Sequence, residues 1–248
     1  MKLKTFYYLF LAMILSCAYS CSSDDDLEPI LPDTSSTFTV DTAIVVQQVE
    51  IASRYGATLQ HFADSMAALH GGKASAINYK TLESAIRKCW TDSCQATDLK
   101  DMVRLTIACP FDSLENMITD IANTAKRQNR FYRYNHQETL ATGYWGDIVN
   151  LQYPDIVSEI QIKSFWMAYG TYGNEPELTR AFLGDSIYYT IQNATHLEAS
   201  QSHVFYEIDR DITGRYSEEE KAINRQANYD YCHAFWEKYI EGMTFYNE

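Results

Sequence analysis

A stretch of twelve residues late in the chain concentrates side chains that can bind a hard cation. Oxygen-bearing residues stand at its first, third, fifth, ninth and twelfth positions, and they are Asp209, Asp211, Thr213, Ser217 and Glu220. Gly214 at the sixth position permits a sharp turn. Carboxylate and hydroxyl oxygens at this spacing can enclose a hard divalent cation, and Glu220 would close the shell through both of its oxygens.

This stretch resembles a single EF-hand loop, and the resemblance implies calcium as a cofactor. Three positions depart from the family pattern: Ile212, Tyr216 and Lys221. No second loop of the kind occurs, although EF-hands usually work in pairs. The alternative is that one helix ends near Asp211 and the next begins with a capping box from Ser217 to Glu220. The sequence leaves both interpretations open.

Four cysteines follow the first 21 residues, namely Cys89, Cys94, Cys109 and Cys232. Outside the cytosol an even number permits two disulfides, and Cys89 with Cys94 is the favoured pair because the two residues flank a short turn. The alternative is that all four are small apolar side chains packed in a core. The sequence does not decide between the two.

The first 20 residues have the pattern of a secretory signal. Lys2 and Lys4 are followed by an unbroken apolar run over residues 6–15, which is too short to span a bilayer. Cys21 at the end of this segment resembles the lipobox of bacterial lipoproteins, which implies cleavage before Cys21 and lipidation of its thiol. Cys17 is a second candidate for the lipidated residue.

The residues directly after Cys21 resemble the surface-export signal of Bacteroides-type lipoproteins; they are Ser22, Ser23, Asp24, Asp25 and Asp26. The resemblance implies a protein anchored to the outer membrane by lipid and facing the cell exterior. Without residues 1–20 the chain has 18 basic and 33 acidic residues, a net charge of −15. This charge argues against nucleic acid as a partner and against electrostatic binding to anionic lipid.

Beyond the signal, residues 21–39 are predicted to be an acidic, disordered tether, and residues 40–248 a helical domain. Apolar residues in steps of three and four predict a long helix from about Asp41 to Gly71. Similar patterns predict an all-α fold, an irregular bundle or stack of about eight helices. One of these helices is predicted around Leu99–Ile107, and residues 154–169 are ambiguous between strand and helix.

Aromatic residues crowd into the second half, with six in residues 21–128 and 23 in residues 129–248. Most are expected to fill the core of the domain. Some are candidates for an exposed groove, and these are Tyr144, Trp145, Phe165, Trp166, Trp236 and Tyr239.

The chain has no Gly-x-Ser-x-Gly, phosphate-binding glycine loop, dinucleotide fingerprint or zinc-binding histidine motif. The sequence therefore favours a ligand- or partner-binding module at the cell surface over an enzyme, with nutrient capture or adhesion as its role. Its expected partners are the membrane, through the lipid, and an unidentified ligand or outer-membrane protein. The alternative is a surface hydrolase whose catalytic acids are scattered in sequence.

Overall fold

The computed structural model describes residues 38–139, 142–209, 211 and 214–245. Its helices are α1 (Thr42–Leu69), α2 (Leu82–Asp92), α3 (Leu114–Arg127), α4 (Phe165–Thr171), α5 (Pro176–Leu183), α6 (Asp185–Thr195), α7 (Gln201–Asp209) and α8 (Glu218–Phe245). Its strands are β1 (Lys73–Ala74), β2 (Asn78–Tyr79), β3 (Val103–Cys109), β4 (Phe131–Thr139), β5 (Tyr144–Gln152) and β6 (Val157–Ser164).

The six strands form one mixed sheet in the order β1-β3-β6-β5-β4, with β2 also pairing with β3. β3 and β6 run parallel, and the other pairs are antiparallel. The prediction of an all-α fold is therefore wrong, and the architecture combines helices with a sheet.

The strand β3 shows why the helical prediction failed. Six of its seven residues are buried, and Val103, Leu105 and Ile107 alternate with polar residues as in a strand. The apolar residues Leu99, Val103 and Ile107 also recur in steps of four, so the same segment fits a helix. The segment predicted as a helix around Leu99–Ile107 is a buried central strand, and Pro110 lies just beyond its end.

The helices of the first half follow the predicted pattern closely. α1 begins at the N-cap Asp41, whose carboxylate accepts from the backbone N–H of Ala43, and it ends beside Gly71. Its buried face packs with α2 and α3 against one face of the sheet. That face contributes apolar side chains to the first core, including Leu105, Ile107, Ile160 and Ile162. Within the described residues, no helix has both the length and the apolarity to cross a bilayer.

A second core is formed by α4, α5, α6 and α8, and many of its side chains are aromatic. Tyr169 and Phe235 are almost fully buried, and their ring centroids are 5.7 Å apart. Gly170 lies so close to this pair that an added Cβ would come within 2.5 Å of the Phe235 ring. The aromatic-rich half is thus mainly a packed core, as expected for most of its rings.

The groove candidates among the described aromatic side chains are mostly packed as well. Tyr144, Trp145, Phe165 and Trp166 are partly buried against the two cores. Trp236 is 37% exposed but still contacts Phe111 and Trp145, with centroids 5.5 and 6.2 Å away. The side chain of Tyr239 lies outside the described part.

Candidate active site

A buried carboxylate, Asp101, is the centre of a cluster of charged side chains. Its Oδ2 accepts from Lys80 Nζ at 2.8 Å and from Lys88 Nζ at 3.0 Å, and Arg104 Nη1 lies 3.9 Å away. The other oxygen, Oδ1, is buried and has no hydrogen-bond partner among the described atoms. Three cations therefore surround one carboxylate, in a chain whose net charge is −13.

Local structure fixes each member of this group. The backbone N–H of Lys80 donates to Met102 O at 3.0 Å and so holds the end of β2 against the start of β3. Thr81 caps α2 through its side chain, which accepts from Ser84 N at 3.2 Å. Lys88 then lies on the second turn of α2, where its ammonium reaches back to Asp101.

The strands β3 and β6 add a polar face next to this group. Residues alternate between the two faces of a strand, so Glu159, Gln161 and Lys163 share one face of β6. The parallel register places Arg104 beside Glu159 and Thr106 beside Gln161. The opposite face of β3 and β6 packs on α1 and α3, so the charged side chains of these two strands lie on this face.

Glu159 is a second carboxylate of the site and is 8% exposed. Gln161 Nε2 donates to its Oε1 at 2.9 Å. The same residue affects Lys88, because the negative charges of both Asp101 and Glu159 act to raise the pKa of that lysine. We call Lys80, Lys88, Asp101, Arg104 and Glu159 the charged cluster.

Burial and mutual attraction act against each other on the pKa values of Asp101, Lys80 and Lys88. Burial alone would raise the pKa of Asp101, but the attraction of Lys80 and Lys88 outweighs burial and lowers that pKa. Burial lowers the pKa of Lys80 more than Asp101 raises it. Burial also acts to lower the pKa of Lys88, and there the two carboxylates prevail, so the pKa is raised.

Lys163 extends the polar face toward the second core. Its side chain is buried, donates to Thr171 Oγ1 at 2.9 Å and lies 5.2 Å from the centroid of the Tyr144 ring. Burial lowers the pKa of Lys163 to about 8. This lysine therefore loses its proton far more easily than an exposed one.

The charged cluster has the composition of a phosphate-binding site with a place for a divalent cation. Lys88 and Arg104 keep 39% and 37% of their side chains exposed, so both can reach a bound anion. Mg²⁺ is commonly held by one or two carboxylates together with substrate phosphates. Asp101 Oδ1 and Glu159 supply such carboxylates. Across the described ranges, no group of three or more His, Cys, Asp or Glu is placed to hold a metal ion by itself.

The stretch predicted to bind calcium has other partners in the structure. Asp209 pairs with Arg225 at 2.5 Å, and Asp211 pairs with Arg215 at 3.3 Å. Glu220 accepts from the backbone N–H of Ser217 at 2.7 Å. Ser217 Oγ accepts from Glu220 N at 3.2 Å in return, which completes the capping box. Thr213 lies outside the described residues, and calcium binding by this loop stays a prediction.

The other predicted sites are separate from the charged cluster. Cys21 and the export residues 22–26 lie outside the described residues, as does Cys17. All four remaining cysteines are free thiols, and the backbone N–H of Cys94 donates to Cys89 O at 3.1 Å. The structure fits the interpretation that these cysteines pack as small apolar side chains, and a disulfide between Cys89 and Cys94 stays a prediction.

The charged cluster was not among the sites predicted from the sequence. One usable sign was the alternation Glu159-Ile160-Gln161-Ile162-Lys163, which places three polar residues on one face of a strand. This sign does not predict that β2, α2, β3 and β6 meet, since that follows from the sheet topology.

Comparisons with known proteins identify related chains. No family model matches this sequence. The (p)ppApp synthetase toxin Tas1 of Pseudomonas aeruginosa (strain UCBPP-PA14) is 27% identical over 154 residues, which are 61% of this chain and 34% of that protein. This chain thus spans about a third of the length of the curated relative that it matches.

Two solved structures were compared with this chain, and the first of them has a similar fold. The complex of the Type VI effector Tas1 with its immunity protein superposes with a TM-score of 0.63 at 22% identity, covering 78% of this chain and 96% of that one. The small alarmone synthetase 1 of Bacillus subtilis gives a TM-score of 0.39 at 15% identity, over 82% and 96% of the two chains.

These findings overturn the functional interpretation made from the sequence. The match to a synthetase contradicts the prediction of a binding module for nutrient capture or adhesion. It also contradicts the view that the chain is more likely not an enzyme, and the solved Tas1 structure has the mixed fold rather than an all-α one. The prediction relied on the absence of compact catalytic motifs, whereas the charged cluster is assembled from separate elements and has no compact sequence pattern.

Proposed function

We propose that this chain is a nucleotide-modifying enzyme that transfers a pyrophosphoryl group to an adenosine nucleotide, as the name (p)ppApp synthetase describes for Tas1. The observation that carries the proposal is the charged cluster, with three cations around Asp101 and one unpartnered carboxylate oxygen. The 27% identity to Tas1 supports the same reaction class.

The reaction needs groups that hold phosphates and stabilise the charge that moves between them. A ribose hydroxyl of the acceptor attacks the β-phosphorus of a nucleoside triphosphate. An O–P bond forms, the α–β anhydride bond breaks, a nucleoside monophosphate leaves, and the hydroxyl proton is released. Lys88 and Arg104 are positioned to bind the transferred phosphates.

The two carboxylates have a separate role in this proposal. Asp101 Oδ1 and Glu159 would hold a divalent cation, which supplies electrostatic stabilisation of the phosphates when bound. Lys80 does not face a substrate, because its ammonium is buried against Asp101 Oδ2. Its role is to keep Asp101 ionised and oriented so that Oδ1 stays available.

A protein partner is part of the proposal. The Type VI effector Tas1 was solved in complex with its immunity protein. We therefore expect a partner protein that neutralises this chain. A pull-down should recover this partner protein. Adding the recovered protein to the synthetase reaction should then lower its rate.

The proposed reaction is tested by incubating the protein with ATP, Mg²⁺ and AMP or ADP. Anion-exchange chromatography and mass spectrometry should show an adenosine nucleotide that has gained one pyrophosphoryl group, together with AMP released from the donor. Lys88→Gln should lower the rate at least tenfold, because it removes an exposed phosphate-binding cation.

Lys221→Gln is the matched control, since Lys221 pairs with Glu218 at the start of α8, outside the charged cluster. Its rate should equal that of the wild type. Absence of any pyrophosphorylated product from the folded wild-type protein would contradict the proposed function, and an equal loss in both variants would contradict the role of Lys88.

We also propose that Cys21 carries the lipid anchor and that the protein reaches the outer membrane. Lipid contributes about 0.8 kcal/mol for each buried CH₂, so several chains attach a protein stably. Cys21→Ala should give an unprocessed or soluble protein, as judged by metabolic labelling with palmitate and by membrane fractionation. Cys17→Ala is the control. A loss of labelling in that variant alone would show that Cys17, and not Cys21, is the lipidated residue.

A further inference from the structure

A groove on the other side of the sheet is separate from the charged cluster. It lies between α1, the turn from α3 to β4 and the turn from β5 to β6, and its volume is about 550 Å³. It is lined by Tyr55, Thr58, Gln128, Asn129, Arg130, Gln152, Tyr153 and Pro154. We call it the tyrosine groove. Tyr55 and Tyr153 belong to the core on the face of α1 and α3, whereas Glu159 and Arg104 belong to the opposite face.

Arg130 supplies a cation to the tyrosine groove. Its guanidinium lies 5.2 Å from the centroid of the Tyr153 ring, and it has no carboxylate within 4.0 Å in the described part of the chain. Its backbone is fixed on both sides, because Arg130 N donates to Ala125 O at 2.8 Å and Arg130 O accepts from Gln152 N at 2.6 Å. A fixed arginine without an acidic partner is well suited to bind an anion.

The basic residues near Arg130 have other contacts. The sequence Lys126-Arg127-Gln128-Asn129-Arg130 and the nearby Arg133 form a basic run. Lys126 lies over the Phe131 ring, Arg127 donates to Thr124 Oγ1 at 2.7 Å, and Arg133 donates to Asn150 Oδ1 at 2.8 Å. Of these four basic residues, Arg130 is the one that lines the tyrosine groove.

Tyr153 lies beside Arg130 in the lining of the tyrosine groove. The residue is 3% exposed, and its buried hydroxyl makes no well-aligned hydrogen bond among the described residues. Burial raises the pKa of this hydroxyl, whereas the charge and hydrogen bonding of Arg130 act to lower it. The rest of the residue is held firmly, since its backbone N–H donates to Ile156 O at 2.8 Å and its ring packs on Tyr55 at 4.7 Å. Arg130 and the Tyr153 hydroxyl are therefore close enough to act on the same bound group.

We propose that the tyrosine groove is a second nucleotide site, in which Arg130 and the Tyr153 hydroxyl hold the phosphate. Its volume lies in the range of small-molecule sites. The carboxamides of Gln128 and Asn129 offer donors and acceptors to the edge of a base, and the tyrosine rings offer flat apolar surface. This site goes beyond the proposed function, because it is separate from the groups that carry out pyrophosphoryl transfer.

Binding is measured by calorimetry with AMP as the probe, in a Lys88→Gln, Arg104→Gln background that weakens phosphate binding at the charged cluster. We expect one AMP for each chain. Adding Arg130→Gln should weaken binding at least tenfold. Arg127→Gln is the matched control, since Arg127 lies three residues away but bonds to Thr124, and it should leave AMP binding unchanged.

Tyr153→Phe separates binding from folding. It removes a buried hydroxyl that makes no well-aligned hydrogen bond, so the melting temperature should stay nearly the same, while AMP binding should weaken severalfold. Absence of AMP binding in the background protein, or equal affinity with and without Arg130, would overturn the proposal. Inorganic phosphate and adenosine are tested alone, and phosphate that binds as tightly as AMP would overturn a nucleotide site. These outcomes do not depend on whether the chain synthesises (p)ppApp.

Discussion

Replacing Glu159 by glutamine is expected to lower the rate of pyrophosphoryl transfer by about a hundredfold to a thousandfold, the range typical when one preorganised electrostatic group is lost. Glutamine has the shape of glutamate and can still accept the hydrogen bond from Gln161 Nε2. The variant should therefore fold normally while losing the negative charge that would hold a divalent cation. The rate is measured at saturating ATP over a range of Mg²⁺ concentrations.

Two further measurements make this result specific. If Glu159 helps to bind the cation, the Mg²⁺ concentration needed for half-maximal rate should rise in Glu159→Gln. Glu177→Gln on the exposed start of α5 is the control, and its rate and melting temperature should match those of the wild type. A Glu159→Gln variant with unchanged rate and unchanged Mg²⁺ dependence would refute the role given to this carboxylate.

Replacing Asp101 by alanine is expected to lower the free energy of unfolding by about 3–5 kcal/mol, because it leaves a buried ammonium without its partner. Lys80 is the ammonium in question, with 8% of its side chain exposed. Chemical denaturation measures the loss. Activity should disappear in the same variant, since Asp101 Oδ1 is the proposed cation ligand.

The buried pair can be tested by removing both charges. Asp101→Leu combined with Lys80→Met should recover most of the stability lost in Asp101→Ala, while activity stays absent. If Asp101→Ala were as stable as the wild type, the pair would not stabilise the fold. If the double variant kept its activity, Asp101 would have no part in the reaction.

The effect of Asp101 should depend on pH in a defined direction. Lys80 and Lys88 overcome the effect of burial and hold the pKa of Asp101 below its ordinary value of 3.8. A carboxyl whose pKa is lowered by folding stabilises the fold fully above its unfolded pKa and loses that contribution as the pH falls through its folded pKa. The stability difference between the wild type and Asp101→Ala should therefore narrow below a pH of about 4.

Local patterns in the sequence predicted several helices well. The apolar stripe of α1 is buried where its period places it, at Val45, Ala52 and Leu59. The Ser217–Glu220 capping box forms as its spacing indicates. These predictions succeeded because residues three or four apart on a helix are neighbours, so the relevant contacts are already present in the sequence order.

The strands were missed because their patterns also fit a helix. Residues 103–107 alternate between apolar and polar side chains, but Leu99, Val103 and Ile107 recur in steps of four. β6 keeps an alternating pattern, but it directly precedes α4, so residues 154–169 show both periods in one short segment. The pairing of β3 with β6 decides between the two periods, and it joins segments that lie far apart in the chain.

The sequence by itself gives the composition and the acidic charge of this protein. It was also sufficient to predict the long amphipathic helices and the caps where they begin. The sequence also contains the residues of the charged cluster, but their order along the chain does not show that they lie together in space. These residues are Lys80, Lys88, Asp101, Arg104 and Glu159. The tertiary structure brings these residues together, because β3 and β6 pair in parallel with Arg104 beside Glu159. A parallel pair joins segments far apart in the chain, and its register depends on the packing of the whole sheet. The charged cluster therefore became recognisable only in the folded protein.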